Sequence, residues 1–200
     1  YCVKVLGFKG IQILTNINGE EISIPQYDPI WAKAQELDTL IFLHPDGFTH
    51  GDRLAEHYLI NVLGNPLDTT IAVHHLIFKG VLERYPRLRI LLAHGGGYIA
   101  AYPGRIDHAW SARADANSNL PNPPTSYLKK MYFDTAVFTP HQLRFLVDFY
   151  GANHVVMGTD YPFDMAEFRP VEHVIETDGL SEAQMAAIIS GNAHRLLKLI

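Results

Sequence analysis

Residues 88–97 read LRILLAHGGG, a short apolar run that ends on His94 and three glycines. An unbroken run of this length predicts a strand buried on both faces, because apolar/polar alternation suits only a sheet with one wet face. The same arrangement recurs in both directions. Upstream lie residues 10–14 (GIQIL) and 39–43 (TLIFL); downstream lie 131–133 (MYF) and 154–157 (HVVM). Helical patterns separate these runs. Residues 29–37 follow Asp28 as a candidate cap, 67–85 stop before Pro86, 140–150 end at Gly151, and 181–190 open on Ser181. Residues 112–124 read as a polar loop rich in Pro, Asn and Ala. Strands alternating with helices specify an α/β architecture with parallel strands. Periodicity does not say whether the sheet is open or closed.

The polar residues fall at the carboxyl ends of the runs. His44-Pro45 follows the second, His94 and its glycines the third, Asp134-Thr135 the fourth, and Gly158-Thr159-Asp160-Tyr161-Pro162 the fifth. Parallel α/β folds bind ligands on this rim. Two imidazoles and a carboxylate brought there by three strands form a candidate divalent-metal site, since both donor types suit Zn²⁺ or Mn²⁺. Each residue taken singly also fits a hydrogen-bonded structural role. Asp134 reads first as a turn-capping residue and second as a site residue. The glycines at 95–97 suit either a flexible turn or an approach of backbone amides to an anion, but they lack a nucleotide-binding fingerprint. Neighbours in a helix point to different faces, so His74 and His75 read as core or surface groups. His108, His141, His154, His173 and His194 have no ligand-like context, and a pocket-lining role is not favoured for His50 or His57.

Composition bounds the function. The 200 residues carry a net charge of −5 with 16 Lys and Arg and no basic run, which disfavours nucleic acid as a partner. No apolar stretch approaches the roughly 20 residues of a membrane helix, and no signal peptide is visible. Cys2, the single cysteine, excludes an internal disulfide framework and fits a reducing, cytoplasmic setting.

The segments LGFKGIQILTNINGE, PIWAKAQEL, IFLHP, GNPLDTTIAVHHLIFKGVLERYPRLRILLAHGGG, GRIDHAW, VVMGTDYPF and GNAHRLLKL follow one another in order. This ordered set resembles the C-terminal portion of the amidohydrolase-related (amidohydrolase 2) metal-dependent TIM-barrel proteins, in particular the aminocarboxymuconate-semialdehyde decarboxylase-like group. The resemblance implies a (β/α)8 barrel of which residues 1–200 hold about strands four to eight. It also implies roles for four residues. His44 matches a metal-binding His after the fifth barrel strand. His94 matches the His after the sixth, which activates metal-bound water. Asp160 matches the Asp after the eighth, which ligates or hydrogen-bonds at the metal and shares in catalysis. Arg105 occupies a position that in relatives helps hold the substrate carboxylate, sometimes across a subunit interface; a structural ion pair with Asp107 or a glutamate is the alternative. The family's His-x-His or Glu-x-His pair at the first strand has no counterpart here, and a closed barrel needs about 250 residues. The chain is therefore expected to lack the N-terminal strands of its barrel.

The expected activity is metal-dependent, non-oxidative decarboxylation of a small unsaturated or aromatic carboxylic acid, with Zn²⁺ favoured over Mn²⁺ and a homodimer implied by the relatives. Hydrolysis of a lactone, ester or amide uses the same residues and is the near alternative. An inactive, truncated barrel module, supported by the missing first-strand ligands, is the alternative from another class.

Overall fold

The structure is a computed structural model that describes residues 1–48, 51–117 and 119–199. In chain order the strands are β1 (Gly10–Ile13), the hairpin pair β2 (Asn16–Ile17) and β3 (Glu20–Glu21), β4 (Leu40–Leu43), β5 (Arg89–Leu92), β6 (Tyr132–Asp134) and β7 (Val155–Val156). All but the hairpin join one parallel sheet in the order β1-β4-β5-β6-β7. Each of the five apolar runs thus supplies one strand. Helix α1 (Asp28–Leu37) precedes β4, and α2 (Asn65–Phe78) and α3 (Val81–Arg84) link β4 to β5. After β5 come α4 (Gly97–Ala101), α5 (Pro103–Ala112), α6 (Ala114–Asn117) and α7 (Pro124–Leu128). Helix α8 (Pro140–Tyr150) links β6 to β7, and α9 (Pro170–Ile175), α10 (Glu182–Ala186) and α11 (Asn192–Leu197) come last.

The register explains the core. Ile13, Leu43, Leu92, Phe133 and Val155 pair across the sheet in one row, so their side chains share a face. Leu43, Leu92, Phe133 and Val155 are fully buried there, in one cluster with Leu76 and Ile77 of α2 and Leu143 and Leu146 of α8. Each such side chain contributes about 1.5–3 kcal/mol by leaving water. The opposite pleat carries Leu40, Leu91, Tyr132 and Val156, and α11 covers it with Ala193, Leu196 and Leu197. Both faces are apolar, which is why the runs do not alternate.

Several local expectations are corrected. The helix read over 67–85 begins at Asn65 and breaks after Phe78, where Gly80 turns left-handed (φ +70°) before α3 resumes. Asp28 does not cap α1; it is the first residue of the helix, and its Oδ1 accepts a hydrogen bond from the Arg84 guanidinium at 2.9 Å. The segment 112–124 read as loop contains the single-turn α6. Residues 181–190 form α10 followed by a wide π turn (Ala187–Gly191) that runs into α11. The Ser181 cap is present: its Oγ accepts the Gln184 amide at 3.3 Å, within a capping box. Among the described residues no helix is long and apolar enough to cross a membrane.

Candidate metal centre

The parallel register carries the carboxyl ends of β4, β5 and β7 to one rim. The ladder continues past the strands, since the His44 amide donates to the Ile13 carbonyl at 3.1 Å and the Ala93 amide to the Leu43 carbonyl at 3.1 Å. His44 follows β4 directly, His94 comes two residues after β5, and Asp160 four residues after β7. Their side chains meet. His44 Nε2 lies 3.3 Å from Asp160 Oδ1, His94 Nε2 lies 3.6 Å from Asp160 Oδ2, and the two imidazoles pack edge to face at 5.1 Å. One donor atom from each of the three falls within 4.8 Å of the others. The three side chains are only 10–14% exposed.

This donor set fits a divalent ion. Two neutral imidazole nitrogens and one carboxylate oxygen within this spacing are the ligands that Zn²⁺ and Mn²⁺ accept. Without an ion, a nearly buried carboxylate would face two imidazoles with little solvent to screen it. The Nδ1 of His94 is buried with no hydrogen-bond partner among the described residues, so the chemistry of this ring is presented through Nε2.

Backbone strain holds His94 in place. His94 itself is left-handed (φ +55°), as are Gly95, Gly96 and Gly97. A non-glycine residue there needs local support. Asp134 supplies it: its Oδ2 accepts the His94 amide at 3.0 Å, and its Oδ1 accepts those of Gly95 at 2.8 Å and Ala136 at 3.1 Å. Burial pushes the Asp134 carboxyl up, while the nearby His94 and the three amides oppose that shift. The reading of Asp134 as a turn cap therefore matches its contacts.

The same geometry removes the anion-cradle reading of the glycine run. The His94 and Gly95 amides are taken by Asp134, Gly96 donates to the Ala93 carbonyl, and Gly97 to the His94 carbonyl. The next two amides, of Tyr98 and Ile99, share the Thr70 hydroxyl. None is left for a phosphate. Gly97 is needed for a different reason: a Cβ there would sit 2.3 Å from the Pro66 carbonyl oxygen.

Arg105 is not brought to the three residues. It is exposed on α5 and lines neither cavity at the rim. It forms no ion pair among the described residues, and Asp107 instead accepts the Thr125 amide at 2.9 Å and its hydroxyl at 2.5 Å. His74 is stacked on Phe78 at 4.2 Å, with burial lowering its pKa, and His75 lies 3.8 Å from Glu21. His57 is exposed, and His50 lies outside the described residues. The other histidines stay out of the rim. His154 bonds the Met131 carbonyl, His194 bonds Ser190, and His173 is buried on α9.

Two cavities open beside the cluster. One, of about 450 Å³, is lined by polar groups that include Gln12, His44, Asp46 and Tyr58. The other, of about 320 Å³, is lined by Val62, Tyr98, Val137, Phe138 and Met165. Phe163 stacks on the His44 ring at 5.7 Å, and the Tyr58 hydroxyl donates to Asp164 at 2.7 Å, tying the segment before α2 to the loop after Asp160. Sequence reasoning did not single out Asn61, Asn65, Tyr58 or Phe163. The Asn65-Pro66 pair was the available signal, as a breaker placed just before a long apolar helix.

Residues 1–199 match the amidohydrolase family model. The chain is 35% identical over 199 residues to a 2-amino-3-carboxymuconate-6-semialdehyde decarboxylase of Dictyostelium discoideum, covering 99% of this chain and 55% of that protein. It therefore spans about half the length of that curated relative. A solved dihydroxybenzoic acid decarboxylase from a Polaromonas species, with bound manganese and the inhibitor 2-nitroresorcinol, superposes with a TM-score of 0.87 at 27% identity, covering 99% of this chain and 63% of that one. A 5-carboxyvanillate decarboxylase from Novosphingobium aromaticivorans, complexed with manganese and 4-hydroxy-3-methoxy-5-nitrobenzoic acid, gives 0.90 at 25% identity, covering 98% and 58%. The five-stranded parallel sheet is thus part of a TIM-barrel fold. With a family match over nearly its whole length and a strand-end cluster of His44, His94 and Asp160, the chain belongs to the amidohydrolase family.

Proposed function

We propose that this protein is a metal-dependent, non-oxidative decarboxylase of a small unsaturated or aromatic carboxylic acid. The observation that carries the reading is the convergence of His44, His94 and Asp160 at the strand ends, beside one polar and one largely apolar cavity. The activities named for the similar proteins support it, and the manganese in two of them supports a divalent ion, with Zn²⁺ and Mn²⁺ both suited to these donors.

In this reading His44 Nε2 and a carboxylate oxygen of Asp160 hold the ion. A bound divalent ion supplies positive charge that polarises an oxygen of the substrate. His94 Nε2, on the other side of Asp160, carries the proton that the substrate carbon takes up. The C–C bond to the carboxylate then breaks, its electron pair returns to the substrate carbon framework, and CO₂ leaves. No oxidant is consumed. Phe163, stacked on His44, keeps water from that ring and orients it. Arg105 is exposed on α5 and lines neither cavity beside this chain's own cluster, so its proposed role is to hold a substrate carboxylate in the site of a second subunit of a homodimer. The exposed thiol of Cys2 fits a reducing, cytoplasmic setting.

The test is release of CO₂ from a panel of unsaturated and aromatic acids by the Mn²⁺-loaded and Zn²⁺-loaded protein, with loss of the signal in His94→Ala. Turnover of a lactone or ester with no CO₂ from any acid would replace this reading with hydrolysis.

A further inference from the structure

Four residues line both cavities at the rim: His94, Asp160, Asn61 and Asn65. The first two belong to the metal cluster. We propose that the other two, Asn61 and Asn65, form a carboxylate-binding subsite that orients an organic acid between the polar lobe and the apolar lobe. This rests on the reading of the site as one that acts on organic acids.

Their hydrogen-bonding capacity is unspent. A carboxamide offers two N–H donors and one acceptor oxygen. Asn65 Oδ1 accepts the Gly47 amide at 2.8 Å, which fixes the side chain and leaves its Nδ2 without an acceptor among the described residues. The Asn61 carboxamide has no hydrogen bond to any described residue. Other polar groups nearby are committed or confined to one lobe. The Tyr58 hydroxyl is spent on Asp164, Gln12 lines only the polar lobe, and Gln142 only the apolar one. Asp46, also in the polar lobe, would repel an anion, so the two carboxamides mark the edge where a carboxylate finds donors.

The backbone explains why they are presented together. Residues Ile60–Gly64 form a π turn that runs directly into α2. Pro66 lacks an amide proton and its ring crowds the carbonyl four residues earlier, so the helix is widened where it meets the proline. Residues four apart project from one side of a helix, which puts Asn61 and Asn65 on the same wall. That wall is pinned. The Thr70 hydroxyl bonds the Pro66 carbonyl at 2.7 Å, and Gly97 packs so closely on this carbonyl that no Cβ would fit. Neutral donors suit the position, because they attract an anion without adding charge next to the metal ligands. The apolar body of the acid would then take the lobe walled by Val62, Val137, Phe138 and Met165.

Calorimetric titration of the Mn²⁺-loaded protein with benzoate and with benzamide, its neutral analogue, tests the subsite. The unsubstituted protein is expected to bind benzoate more tightly than benzamide. Asn61→Asp, and separately Asn65→Asp, which keeps the acceptor for Gly47, should each weaken benzoate about tenfold and leave benzamide within about twofold. Mn²⁺ affinity, measured alongside, should not fall, since an added carboxylate near the metal ligands attracts a cation. Equal weakening of both probes, unchanged benzoate binding, or failure of the unsubstituted protein to bind benzoate at millimolar concentration would each overturn the subsite. Charge-selective benzoate binding in a protein that releases CO₂ from no acid would leave the subsite standing and remove the decarboxylase reading.

Discussion

Asp134 holds His94 through the backbone rather than the ring: its Oδ2 accepts the His94 amide at 3.0 Å, while its Oδ1 serves the amides of Gly95 and Ala136. The clamp fixes a left-handed turn from which the imidazole reaches Asp160. Removing the carboxylate strands three N–H donors, two of them in the turn, at a cost of about 1–3 kcal/mol for each left buried and unpaired. Asp134→Ala is therefore expected to lower unfolding free energy by about 3–5 kcal/mol in urea denaturation, and Asp134→Asn, which retains one acceptor oxygen, by less. A loss under about 1 kcal/mol for Asp134→Ala would show that the clamp does not hold the turn.

His44 and Asp160 are proposed as ligands and His94 as a proton carrier, and the three substitutions separate these roles. His44→Ala and Asp160→Asn should each weaken Mn²⁺ binding by at least about 10- to 100-fold, the loss that disturbing even an outer-shell partner brings. His94→Ala should cost less than about threefold in Mn²⁺ affinity yet abolish CO₂ release. Titration calorimetry and a CO₂ assay on the same preparations give both numbers. If metal binding and CO₂ release instead fall in parallel in all three variants, the division of roles is wrong.

Gly97 is left-handed (φ +63°) and packs against the Pro66 carbonyl oxygen, 2.3 Å from where a Cβ would stand. Gly97→Ala combines backbone strain with a clash against backbone that cannot swing aside. It is expected to destabilise the fold by about 3 kcal/mol or more, seen as a lowered Tm. Because Pro66 adjoins Asn65, the same substitution should also weaken benzoate binding to the folded fraction.

Asp38 ends α1 in a left-handed conformation (φ +47°), with ion pairs to Lys198 and to Arg89 on β5. Those cations, Lys198 foremost, hold its carboxyl below the usual value of 3.8. A depressed folded pKa gives stability that is present above the unfolded value and is lost as pH falls through the folded one. Asp38 is more than half exposed, so the contribution is screened. Asp38→Asn, which tolerates the left-handed backbone, should lose no more than about 1 kcal/mol at pH 7. That difference should shrink as pH drops below 3.8. A gap that widens on acidification would assign the wrong sign.

Much of this molecule is legible in its sequence, and the limits are physical. The strands could be read because both faces of the sheet are covered: Leu92 packs under α2 and α8 while its neighbour Leu91 packs beside α11, so the run stays apolar throughout. His44, His94 and Asp160 could be read because polar residues at the ends of parallel strands share a rim whatever the loops do. The π turn at Ile60–Gly64 could not, since it reflects a conflict between an apolar helical pattern and Pro66 that only packing resolves. Asn61 and Asn65 were invisible for the same reason. The β2–β3 hairpin was missed although Asn18-Gly19, both at positive φ, is a strong turn signal; its strands are two residues each, too short for any periodicity. Asp28 looked like a cap by position, but its carboxylate serves Arg84, a partner 56 residues away.

Anomalous scattering at the manganese absorption edge, from crystals of the Mn²⁺-loaded protein, locates the ion itself. One peak per chain is expected, at ligand distance from His44 Nε2 and an Asp160 carboxylate oxygen, with His94 Nε2 beside it. No peak at the ends of β4, β5 and β7, or a peak coordinated by other residues, would contradict the assignment of this cluster as the metal centre.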